Sequence, residues 1–135
     1  MSVAERFFDT NVLLYLLSAD AAKADRVEEM LAAGATISVQ VLNEFTSVAL
    51  RKLGLTVAEV REALESLTSI CKVVPVTLEI HQQALQVVER YRFSIYDALI
   101  VAAAIDAGCT TLCTEDLQDG QVIANTLTVR NPFRT

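Results

Sequence analysis

Asp9 interrupts two apolar runs in the stretch RFFDTNVLLYLLS, and Glu44, Asp97, Asp116 and Asp119 follow at intervals too wide for any local motif. Carboxylates without His or Cys beside them suit hard, oxygen-preferring cations, Mg2+ or Mn2+, better than Zn2+. Such ions activate water and neutralise the charge that develops on a phosphodiester. An acid set of this kind, if it converges, points to phosphodiester hydrolysis. The cysteines Cys71, Cys109 and Cys113 form no CxxC pair and have no zinc-like spacing to the lone His81, which leaves them as buried, reduced thiols.

Convergence needs a fold that carries distant residues to one rim. Short apolar runs read as strands over Arg6–Asp9, Thr36–Ser38, Cys71–Val76 and Thr110–Cys113, with a short fifth at Leu127–Val129. Longer periodic runs read as helices over Val12–Leu17, Ala21–Ala33, Val39–Leu53, Thr56 to Ser69, Thr77 to Arg92 and Ile95–Ala107. Asp20 is available as an N-cap, and Gly34, Gly54 and Gly108 follow helix ends. Thr56 with Glu59 is a capping-box pattern, and Ser94 with Asp97 repeats its spacing. Strands alternating with helices give the α/β class: three α/β/α layers around a parallel sheet of four to five strands.

Ligands of open parallel sheets gather at the carboxyl ends of the strands. Asp9 ends the first strand, Asp97 lies in the first turn of a helix, and Asp116 and Asp119 follow the fourth strand, so all four face one rim. Glu44 falls beside Val41 and Val48 at the border of an apolar stripe, where a charge needs a partner. The run Ala98 to Ile105 is apolar all round, so Asp97 belongs to a buried helix. His81 shares a helical side with Leu78, Leu85 and Val88 and is assigned to packing. Taken singly, each acid has a plainer reading as a turn, capping or loop residue. Three to five of them on one rim do not.

A net charge of −6 argues against general electrostatic coating of nucleic acid, but not against a local site whose acids hold cations. No apolar run reaches the roughly 18–20 residues that span a bilayer, and the first six residues mix acid and base unlike a signal peptide. No linker or repeat divides the chain. The expectation is one cytoplasmic domain over residues 1–135, with no membrane partner.

The blocks FFDTNVLLYLL, SVQVLNEF, SIYDALIVAAAIDAGCTTLCTEDLQDG and VRNPF, in this order, resemble the PIN-domain ribonucleases, specifically the VapC-type toxins of bacterial VapBC toxin–antitoxin pairs. The resemblance runs essentially end to end. It places the family's acidic positions at Asp9, Glu44, Asp97 and Asp116, with Asp119 in a frequent fifth place. Thr10, Asn11, Ser38 and Thr114 match small polar positions that shape the site. The implied activity is Mg2+- or Mn2+-dependent endonucleolytic cleavage of RNA by a homodimer that a VapB-type antitoxin inhibits. By this resemblance Asp9, Asp97 and Asp116 hold the metal, and Asp119 is a second-metal or outer acid. Glu44 orients or deprotonates the attacking water, or completes a metal shell. Arg51, Lys52, Arg90 and Arg92 are candidates for RNA phosphate contacts, or helix-end charges that complement the dipole.

Other readings fit less well. A receiver domain needs an adjacent acidic pair early and a Lys after the last strand. A haloacid-dehalogenase-type phosphatase needs D-x-D where Asn11 stands. The remaining alternative is a non-catalytic PIN-like binding module that captures a basic peptide on its acidic rim.

Overall fold

The computed structural model describes residues 5–134, so the reading of the first six residues falls mostly outside it. Six strands form one sheet in the order β3-β2-β1-β4-β6-β5: β1 Arg6–Phe8, β2 Thr36–Ser38, β3 Lys72–Val74, β4 Thr111–Cys113, β5 Val122–Ile123 and β6 Leu127–Arg130. Every pairing is parallel except that of β5 with β6. The helices are α1 Thr10–Leu13, α2 Ala21–Ala32, α3 Val39–Arg51, α4 Val57–Ile70, α5 Leu78–Tyr91 and α6 Ile95–Asp106, and a 3-10 turn, Leu14–Leu17, continues α1.

Phe7 and Phe8 point to opposite faces of β1, yet both are fully buried. The sheet is therefore covered on both sides at its centre, as parallel sheets are. Thr36, Ile37 and Ser38 of β2 are likewise all buried. β2 and β3 lie to one side of β1, and β4 and β6 to the other. This reversal of strand order opens a crevice at the carboxyl ends of β1 and β4, the usual ligand position in such sheets. The Asp9 amide extends the ladder by donating to Cys113 O at 3.0 Å, so the chain leaves β1 in a fixed direction.

α6 buries Ala98 and Ile100 through Ala104, and its small residues let α5 pack closely along it. Thr56 and Glu59 exchange both capping-box bonds, at 3.1 and 2.9 Å. No described helix is long and apolar enough to cross a membrane. Cys71, Cys109 and Cys113 are free and buried, and burial pushes the Cys71 and Cys113 thiols up to about 11, far from reactive thiolates.

Several expectations need correction. The sheet has six strands, not four to five, because Val122–Ile123 pairs antiparallel with β6. That two-residue strand is too short to show a period. Its turn also lacks the usual glycine signal, since Ala124 and Asn125 carry the positive φ values, 51° and 62°. β3 stops at Val74, before Pro75, and α1 starts at Thr10 rather than Val12. His81 is exposed with Leu78 and Leu85. The face of α5 that packs is Ile80, Ala84 and Val87, a neighbouring stripe with the same helical spacing.

Candidate metal centre

Asp9 leaves β1 in extended conformation and caps α1, so its carboxylate stands over the crevice with only 5% of the residue exposed. Oδ1 accepts from the Thr10 amide at 2.7 Å, and Oδ2 accepts from the Thr114 hydroxyl at 2.8 Å. Thr114 itself is fully buried at the end of β4. Its oxygen accepts from Asn11 Nδ2 and from the Asp116 amide, both at 3.1 Å, which leaves its one proton for Asp9. Asn11 Oδ1 in turn accepts from the Glu115 amide at 3.3 Å. These bonds join the ends of β1 and β4 and fix the Asp9 rotamer.

The other acids arrive from separate elements. Asp97 comes from the first turn of α6, where Ser94 Oγ accepts from the Asp97 amide at 3.1 Å. Asp116 comes from the loop after β4 and is exposed. One carboxylate oxygen from each of Asp9, Asp97 and Asp116 lies within 4.8 Å of the other two. Glu44, from α3, lines the same open cleft of about 340 Å3, together with Thr10, Asn11, Leu14, Ser47 and Val48. It stands outside the group of three, and both of its oxygens already have donors. Thr10 Oγ1 donates to Oε1 at 2.8 Å and Gln40 Nε2 to Oε2 at 3.1 Å.

Burial raises the Asp9 pKa to about 6. The bonds from Thr114 and Thr10 oppose that rise, and Asp116 and Glu44 add repulsion. Asp97 is also raised, first by burial, then by Asp116, with Ser94 opposing and Glu44 adding a little. No basic side chain pairs with these acids among the described residues; the single ion pair is Lys23 with Glu115, at 3.6 Å. The donor set therefore fits a divalent cation. Its oxygens are hard, it has excess negative charge, and Asp116 leaves one side open to water and substrate.

The remaining expected residues are placed elsewhere. Ser38 is buried beneath α3 as its N-cap, accepting from the Val41 amide at 3.3 Å, so it acts on the helix that carries Glu44. Asp119 is not brought to the other acids; its Oδ1 accepts from the Asn131 amide at 2.7 Å and holds the chain leaving β6. Arg51, Lys52, Arg90 and Arg92 are exposed and none lines the cleft. Arg90 instead lies 5.2 Å over the Tyr91 ring. Gln40 escaped notice, although its position four residues before Glu44 on a helix is the spacing at which two side chains meet.

Known structures share this arrangement of elements. VapC20 of Mycobacterium tuberculosis, a sarcin–ricin-loop-cleaving toxin, aligns with a TM-score of 0.67 at 22% identity over 82% of this chain and 91% of its own. A toxin–antitoxin complex from Klebsiella pneumoniae gives 0.71 at 20% over 96% and 99%. FitAcB from Neisseria gonorrhoeae gives 0.66 at 21% over 96% and 99%. No curated protein matches the chain. The PIN domain model matches residues 6–119, which spans β1, α3, α6 and the loop after β4. Because every element that supplies a cleft acid lies inside that match, the chain belongs to the PIN domain family.

Proposed function

We propose that the chain is a metal-dependent endoribonuclease of the VapC kind, the toxin of a toxin–antitoxin pair. The observation that carries this reading is the convergence of Asp9, Asp97 and Asp116 from three elements onto one rim, with no basic side chain paired to them among the described residues. Those three would hold a Mg2+ or Mn2+ ion. When bound, it supplies positive charge against a developing phosphorane and acidifies water at neutral pH. The chain's own groups do the rest. Thr10 and Thr114 hold Asp9 in one rotamer. Glu44, held by Thr10 and Gln40 outside the group of three, faces the cleft as the acceptor for a proton from the attacking water. Asp119 stands outside the group of three, accepts from the Asn131 amide at the end of β6, and is given no part in holding that ion.

The toxin role draws on the toxin–antitoxin complexes among the similar structures. An antitoxin of the VapB kind is the matching partner, the active form is a homodimer, and the site of action is the cytoplasm. Residues 1–135 act as one domain.

Purified, antitoxin-free protein tests the reading directly. Wild type should cleave RNA in Mg2+ or Mn2+ and not in chelator, and Asp97→Asn should lose that cleavage. Wild type that leaves a broad transcriptome intact in both metals would favour the other occupant of an unpaired acidic rim, a basic peptide.

A further inference from the structure

Asp9 is held by two donors, but the carboxylate of Asp116 accepts no hydrogen bond among the described residues. Asp116 also stands outside regular structure, since residues 114–121 belong to no helix or strand. Its place within 4.8 Å of the Asp9 and Asp97 oxygens therefore depends on what holds its backbone. Two bonds act on main-chain amides, from Glu115 to Asn11 Oδ1 and from Asp116 to Thr114 Oγ1.

A third hold acts on the Glu115 side chain. The Tyr15 hydroxyl donates to Oε1 at 2.7 Å, and Lys23 Nζ donates to the Tyr15 oxygen at 3.2 Å. The same ammonium lies 3.6 Å from Oε2, which closes a ring of three groups. It is seated over two aromatic rings, 4.6 Å from the Tyr15 centroid and 4.9 Å from that of Phe133. Those rings meet edge-on at 5.0 Å, so each helps to keep the other where it receives the cation. An exposed ion pair with mobile partners is worth little. Here α2, the 3-10 turn and the chain after β6 set the geometry together, and the two side chains are only 35% and 26% exposed. Among the described residues Lys23 is the one cation paired with an acid, and that acid is the residue beside Asp116.

We infer that Lys23 and Tyr15, acting through Glu115, are positioning residues that hold Asp116 in the metal centre. The inference rests on the metal-centre reading of the acid cluster. Glu115 itself stands outside the group of three, with its carboxylate on Lys23 and Tyr15. Held at its side chain and at its amide, it leaves the residue that follows little freedom of position.

Position and charge predict opposite signs. Lys23→Met keeps the stem on the two rings and removes a positive charge, which by field alone strengthens the binding of a cation. Loss of position weakens it. In calorimetric titration Lys23→Met should bind Mn2+ about fivefold more weakly than wild type, and Lys23→Arg should restore the affinity. In an Asp116→Asn background Lys23→Met should add nothing. A metal-free readout belongs beside these. Hydrogen exchange at the Glu115 and Asp116 amides should quicken in Lys23→Met, while exchange at Thr114, whose amide donates to Arg130 O, stays the same. Unchanged exchange at both amides, or an equal loss of affinity in the Asp116→Asn background, overturns the inference. Wild type that takes up no Mn2+ overturns the metal-centre reading and this inference together. Wild type that binds while Lys23→Met binds equally or more tightly overturns this inference alone.

Discussion

At Asp9, burial and neighbouring acids oppose ionisation, while Thr10 and Thr114 donate hydrogen bonds that favour it, and the carboxyl settles near a pKa of about 6 against an ordinary 3.8. The sign of the consequence follows from linkage. Between those two values the metal-free folded protein holds a proton that the unfolded chain has released, so stability falls as pH rises from about 4 through 6. The loss is on the order of 3 kcal/mol for a shift of about two units. Urea unfolding in chelator at a series of pH values should show wild type losing stability across this window relative to Asp9→Asn; parallel curves would contradict the placement of Asp9 among the other acids. A second residue-scale expectation concerns Gln40. Gln40→Met keeps the shape and removes the donor to Glu44 Oε2. It should lower kcat about tenfold, the worth of one hydrogen bond to a charged group, and leave KM and Mn2+ affinity unchanged. A fall in Mn2+ affinity would instead make Glu44 a ligand.

Among the elements, what could be read from the sequence followed from how much each segment repeats a pattern. α4 and α6 announced themselves by capping-box spacings, α6 also by an unbroken apolar run, and α3 by its apolar stripe and the Gly54 stop, and the acids at strand ends followed once the α/β class was clear. Asp119 shows the limit of that logic. A rim position is set by local sequence, but the Asn131 amide that captures its carboxylate comes from the far side of the β5–β6 hairpin. The α5 stripe failed for a related reason. Leu78, His81 and Leu85 satisfy helical spacing as well as Ile80, Ala84 and Val87 do, and only packing against α6 chooses between them. The hairpin itself stores a testable cost. Ala124 sits at φ 51°, where its Cβ is strained and glycine is at ease. Ala124→Gly should therefore raise stability by up to about 1 kcal/mol in denaturant unfolding, against the loss expected of this change in ordinary backbone. A destabilised variant would show that the turn carries no such strain.

For the whole molecule, acidity and function are one problem. Three acids packed within 4.8 Å of one another, with no basic partner among the described residues, make the free protein less stable than its core alone would. A cation that binds only the folded state returns that stability in proportion to its affinity and concentration. The fold imposes this cost because the strand-order reversal at β1 brings the ends of β1 and β4 and the start of α6 to the same crevice. The most direct test is calorimetric titration of Mn2+ into the metal-free protein. Wild type and Asp119→Asn should bind alike, while Asp97→Asn should bind at least about tenfold more weakly. Equal binding by wild type and Asp97→Asn, or a loss in Asp119→Asn as large as that in Asp97→Asn, would contradict a metal centre built from Asp9, Asp97 and Asp116.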